Sequence, residues 1–116
     1  MKYLLLIYED EKALHSRDEE TRNQIFAEYG AFTQSVRDGG HFIAADALQP
    51  TTSATSVRVR GGNTITTDGP FAETKEQLGG FYLVEAADLD QAISLAKRIP
   101  SARFGTIEVR PVWDYA

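Results

Sequence analysis

Two stretches of this chain are apolar at every consecutive position, and they constrain the fold more than anything else in it. One is Tyr3-Leu4-Leu5-Leu6-Ile7-Tyr8 and the other is Phe81-Tyr82-Leu83-Val84. Successive side chains of a strand point to opposite faces of a sheet, so a strand with one wet face alternates apolar and polar residues. Neither stretch alternates, and each reads as a strand apolar on both faces. The first is too short for a signal-peptide core with a cleavage site and far too short to cross a bilayer.

Helical spacing predicts a first helix over residues 17–38. Ser16-Arg17-Asp18-Glu19 reads as a capping box with Ser16 as N-cap. Ile25, Phe26, Tyr29, Phe32 and Val36 form one apolar stripe, and Gly39-Gly40 supplies a left-handed stop. Residues 41–48 read as a strand, followed by a polar connector. Val57-Arg58-Val59-Arg60, a Gly61-Gly62-Asn63 turn and Thr64-Ile65-Thr66-Thr67 make a hairpin. Residues 68–79 are turn and loop, and residues 80–86 are a strand. Asp88 caps a second helix whose stripe is Leu89, Ala92, Ile93, Ala96 and Ile99, stopped by Pro100. Residues 105–113 form the last strand.

The order is an α+β, ferredoxin-like βαββαβ arrangement with an inserted β-hairpin. It occupies a single domain over residues 1–116. Two helices cover only one face of a four-stranded sheet. The other face, left wet, would expose a larger apolar patch than monomers tolerate. Face-to-face packing of two copies solves this, so the expected assembly is a homodimer forming a dimeric α+β barrel.

Composition narrows the function. With 17 acidic and 12 basic residues the net charge is −5, and the basic residues are scattered, which argues against nucleic acid. The chain has no cysteine, so thiol catalysis and thiolate metal sites are absent; this fits a cytoplasmic protein without membrane contact. The two histidines, His15 and His41, lie far apart without ligand-spaced partners, so no metal is expected. No phosphate-binding loop, dinucleotide fingerprint or nucleophile elbow occurs, and no cofactor is expected.

The residues left for chemistry surround a polar turn. Asp68-Gly69-Pro70 has turn composition: Asp bonds its own backbone, Gly supplies positive φ, and Pro fixes φ. It either only shapes the exit from the hairpin or also walls a pocket. Asp68, Glu73 and Glu76 bring carboxylates near Lys75, and Phe71 adds an apolar wall. Carboxylates in a partly apolar cleft can serve as acid or base, whereas a nearby lysine keeps them ionised. Arg58 either faces water or leans over the cleft toward an anion. Tyr29 either packs in the core or offers its hydroxyl to Asp46 or Asp68. The expected cleft lies between the sheet, the first helix and the hairpin. Asp68 and Tyr29 are its candidate catalytic residues; Asp46, Arg58, Phe71, Glu73 and Lys75 are its candidate ligand contacts. A small polar organic ligand handled by cofactor-free acid/base chemistry would suit such a set.

The opening Met1-Lys2-Tyr3-Leu4-Leu5-Leu6-Ile7-Tyr8, the Val57-Arg58-Val59-Arg60 strand and the long run from Thr67-Asp68-Gly69-Pro70-Phe71 through Gln77-Leu78-Gly79-Gly80-Phe81-Tyr82 together resemble the YCII-related family, in its DGPF-domain branch. The resemblance covers nearly the whole chain. It implies a bacterial protein with a dimeric ferredoxin-like α+β barrel, often encoded beside an extracytoplasmic-function sigma factor. A regulatory partnership with that sigma factor is therefore a second expectation. Better-studied relatives carry a histidine in the first helix paired with an aspartate. Here no histidine lies within that helix, Tyr29 stands mid-stripe instead, and no such pair is carried over.

Overall fold

The computed structural model describes residues 1–115. Along the chain come β1 (Lys2–Glu9), a short helix α1 (Glu11–His15), α2 (Glu19–Asp38) and β2 (Phe42–Ala47). A 3-10 turn (Thr51–Ser53) leads to the ribbon β3 (Thr55–Arg60) and β4 (Asn63–Asp68). Then follow β5 (Gln77–Glu85), α3 (Leu89–Ala96), a second 3-10 turn (Pro100–Arg103) and β6 (Thr106–Pro111). The main sheet has the order β2-β5-β1-β6 with every pairing antiparallel, and β3-β4 forms a separate two-stranded sheet. This is the ferredoxin-like α+β fold with an inserted hairpin.

The two apolar stretches pair with each other across the centre of the sheet, Leu4 opposite Leu83 and Leu6 opposite Phe81. Their faces are not equally buried. Tyr3, Leu5, Ile7, Tyr82 and Val84 point under the helices and join Phe32, Val36, Leu95 and Ile99 in the core. Leu4, Leu6, Phe81 and Leu83 occupy the opposite face and are only half-buried. The helices thus cover one face alone.

The start of α2 departs from the expected capping box. Asp18, not Ser16, is the N-cap: its carboxylate accepts from the Thr21 backbone N–H at 2.7 Å. The cap oxygen must reach the amide three residues on, and Asp18 has the extended backbone that allows this. Ser16 closes α1 instead, its hydroxyl donating to the Ala13 carbonyl at 2.7 Å. At the far end Gly39 keeps a right-handed φ of −78° and Gly40 alone takes the left-handed one, +75°. In the hairpin the turn is the pair Gly61-Gly62, both at positive φ, and Asn63 already pairs with Arg60.

The hairpin stands apart from the core. Its side chains are exposed throughout except that of half-buried Ser56. Among the described residues no helix is long and apolar enough to cross a membrane.

Candidate functional site

The apolar stripe of α2 divides into two halves with different surroundings. Phe32 and Val36 are buried in the core, whereas Ile25 and Tyr29 are half-buried and Phe26 is 81% exposed. The first half of the helix therefore stands away from the sheet. The gap is a cleft of about 720 Å³, mostly apolar. Ile7, Phe42, Ala45 and Tyr82 form its sheet wall; Ile25, Phe26, Tyr29 and Thr33 form its helix wall; Leu14 and His15 of α1 lie at its side. Arg22 and Arg37 extend the helix wall at either end, and Arg37 stacks on the Phe42 ring with its guanidinium 3.9 Å from the centroid.

One end of the cleft is polar and continuously hydrogen-bonded. The Tyr29 hydroxyl lies 2.5 Å from Ser101 Oγ. Ser101 Oγ donates to Glu9 Oε2 at 3.0 Å. Glu9 Oε1 in turn accepts from Arg17 Nη2 at 2.8 Å, and the Arg17 guanidinium rests on the Phe104 ring. Ser101 is 2% exposed, and it is a buried polar residue inside an otherwise apolar core. A second hydroxyl pair, Thr33 with Tyr82 at 2.6 Å, sits one helical turn along. Burial pushes the Tyr29 phenol above its ordinary range; the Ser101 hydrogen bond opposes this, while nearby Glu9 and Tyr82 add to it.

Three local features put these groups together. Glu9 continues the core-facing parity of Tyr3, Leu5 and Ile7, so β1 delivers its last side chain to the helix side. Gly105 lets the chain after the second 3-10 turn press onto β1, since a Cβ there would overlap the Tyr8 carbonyl oxygen and crowd Glu9. Arg103 makes a two-pronged ion pair with Glu28, at 3.0 and 2.6 Å, tying the Ser101 turn to the helix residue beside Tyr29.

Of the seven residues read from the sequence as cleft residues, Tyr29 and Asp46 line this cleft. Arg58, Asp68, Phe71, Glu73 and Lys75 do not line it and are exposed. The cleft is closed by α1, not by the hairpin, because the hairpin ribbon stands clear of the body. At the Asp68 turn the backbone does the visible work: Gly69, at a φ of +95°, donates its N–H to the Ala54 carbonyl, and Ser56 donates to the Gly69 carbonyl. That closes the base of the ribbon. His41 acts as a strand-end residue, its Nδ1 2.8 Å from the Glu85 carbonyl.

Glu9, Ser101 and Arg17 were missed by sequence reasoning. For Glu9 a signal existed, since period two from Tyr3 places it on the core side. For Ser101 and Arg17 no spacing rule points to the cleft. Among the described residues no three His, Asp or Glu side chains converge as a metal site.

The YCII-related domain model matches residues 1–116, and the chain belongs to the YCII-related family. An uncharacterized protein of Rhizobium meliloti (strain 1021) is 39% identical over 117 residues, covering 99% of this chain and 94% of the relative. Among solved structures, the chain is similar to 5-chloro-2-hydroxyhydroquinone dehydrochlorinase from Burkholderia phenoliruptrix AC1100, in complex with 2,5-dihydroxybenzoquinone. That likeness has a TM-score of 0.53 at 15% identity and covers 100% of this chain and 96% of the other, and it shows the shared fold.

Proposed function

We propose that this YCII-related protein binds a small, ring-sized organic molecule in the α1–α2–sheet cleft and performs cofactor-free acid/base chemistry on it through Tyr29. The observation that carries the reading is a phenol at the polar end of an apolar cleft of about 720 Å³, backed by a buried serine and a carboxylate. Cavities of this size hold ligands of small-molecule dimensions, and a few convergent polar groups orient them. Arg22 and Arg37 at the ends of the helix wall suit a ligand with anionic character. The dehydrochlorinase of similar fold holds a dihydroxylated quinone, a molecule of the size this cleft admits.

Arg58, Asp68, Phe71, Glu73 and Lys75 stay outside the cleft of a single copy and join the reading only as contacts made by an assembly. A homodimer belongs to the same proposal, formed by the half-buried face of Leu4, Leu6, Phe81 and Leu83. No observation favours the sigma-factor partnership over the cleft reading.

The test is a thermal-shift screen of hydroxylated aromatic and cyclic dicarbonyl compounds against the native protein, Tyr29→Phe and Asp68→Asn. Expected are ligands that stabilise the native protein and Asp68→Asn alike and that lose about ten-fold or more in affinity with Tyr29→Phe, the worth of one good hydrogen bond to a buried polar group. A screen without any stabilising compound, or hits indifferent to Tyr29→Phe, would overturn the proposal.

A further inference from the structure

Tyr29, Ser101 and Glu9 form a chain of three oxygen atoms, and counting protons fixes its direction. A serine hydroxyl has one proton. An ionised carboxylate can only accept, so Ser101 spends that proton on Glu9 Oε2. Ser101 Oγ can then only accept at its other contact, and Tyr29 must be the donor there. The phenol is consequently held with its proton turned inward to Ser101, leaving lone-pair capacity on its oxygen for the cleft. A ligand meets Tyr29 as a hydrogen-bond acceptor.

Glu9 borders the cleft, but both of its oxygens are already engaged. One is held by Arg17 and the other by Ser101, and the Glu9 side chain is only 13% exposed. Its connection to a ligand at Tyr29 runs through the serine. The geometry points to a proton relay in which Tyr29 takes a proton from an acidic O–H of the bound ligand while Ser101 passes Tyr29's own proton to Glu9. This rests on the cleft-binding reading above and deepens it.

The step balances without any further reagent. The ligand O–H bond breaks and its electron pair stays on the ligand oxygen. A new O–H bond forms on Tyr29, whose former proton moves to Ser101 Oγ, and the Ser101 proton moves to Glu9 Oε2. The phenol and the serine end as they began, and one negative charge has moved from Glu9 to the ligand. Arg17 gains from this arrangement a second role. Once Glu9 is neutral, the guanidinium at 2.8 Å is no longer offset and faces a cleft that now holds an anion. Ser101 and Glu9 act through Tyr29 and are positioning residues for it; of the three, Tyr29 is the one that meets the ligand.

The experiment uses 4-nitrophenol as an acidic, coloured probe, at a pH where the free probe is mostly un-ionised. Visible absorbance reads the ionisation of the bound probe, and infrared difference spectroscopy reads a protonated carboxyl. The native protein is compared with Glu9→Gln, which keeps the shape but removes the acceptor, and with Ser101→Ala, which cuts the relay but leaves the Glu9–Arg17 pair in place. The expected result is phenolate bound to the native protein together with a protonated-carboxyl band that vanishes in Glu9→Gln. The ionised fraction should fall about ten-fold in both variants, the equivalent of one unit of acidity. A probe bound as neutral phenol, or bound as phenolate without the carboxyl band and equally in all three proteins, overturns the relay and leaves the cleft reading standing. No binding to the native protein overturns both.

Discussion

Tyr29 titrates later than a free tyrosine because burial disfavours the phenolate. The consequence for stability has a definite sign. The folded protein holds the phenolic proton more tightly than the unfolded chain, so the contribution is complete below the unfolded value of about 10 and is lost as pH rises through the higher folded value. Denaturant midpoints of Tyr29→Phe should therefore fall less steeply than those of the native protein above pH ~10. At neutral pH the same variant should be less stable by about 1 kcal/mol, since Ser101 loses its donor. Parallel midpoint curves through the alkaline range would rule out this role for Tyr29. The residue shows how far a site can be read from sequence. Its place in a helical stripe was plain, and so was its need for a partner. The partner was not, because Ser101 comes from a turn 72 positions along the chain, brought in by packing alone. Asp46 and Asp68, the acids that sequence offered for this purpose, have no bond to it.

At the scale of elements, the site depends on how the second 3-10 turn is held. Gly105→Ala should destabilise the protein by at least ~2 kcal/mol, because the new methyl would overlap the backbone of Tyr8, which cannot yield as a side chain can. Gly80→Ala, whose Cβ would lie 2.9 Å from the Asp46 carbonyl oxygen, should cost less. Equilibrium urea unfolding of the two variants checks the order. The Glu28–Arg103 pair holds the same turn from the helix side. Arg103 keeps the Glu28 carboxyl below its usual range. A depressed carboxylate contributes stability above its unfolded value of about 4.3, and that contribution disappears as pH falls through the folded value. Glu28→Gln should accordingly show a flatter loss of stability in acid, measured by thermal melts between neutral pH and pH ~3. Arg103 is exposed and Glu28 half-buried, so the pair is partly screened by solvent and the effect should also shrink in high salt. The main elements themselves were legible because their signals are local: two apolar runs, a periodic stripe and a Gly-Gly hairpin turn. The second helix is an exception in detail, since α3 ends at Ala96, short of Ile99 and the Pro100 stop, and buries Ala92, Leu95 and Ala96 while Leu89 and Ile93 stay exposed. What escaped was also local but weaker. α1 is five residues long, too short for periodicity, and the N-cap of α2 is Asp18, two residues beyond the Ser16 that the capping-box pattern picks out.

The whole molecule leaves one face of its sheet without a partner layer. Leu4 and Leu6 of β1 face away from the helices beside Leu83 and Phe81 of β5, with Ala44 of β2 next to Leu83. Toward β6 the surface turns polar at Glu108 and Arg110, which pair at 2.7 Å. An apolar centre with a charged margin is the pattern of an interface core and rim. Packing against a second copy about a two-fold axis would meet the same need on both copies at once, with aligned sheets about 10 Å apart. Leu83 sits at the middle of this surface, between Leu4 and Ala44, so a charge there would be buried unpaired at the centre of the interface. Light scattering at micromolar concentration should therefore report a dimer for the native protein. Leu83→Lys should weaken association by at least about 30-fold, as the loss of a central contact worth ~2 kcal/mol implies. In a monomer the introduced ammonium would reach water freely, so the variant should keep its fold and its circular dichroism. If the native protein is a monomer, or if Leu83→Lys leaves the dimer intact, the exposed sheet face is not where two copies meet.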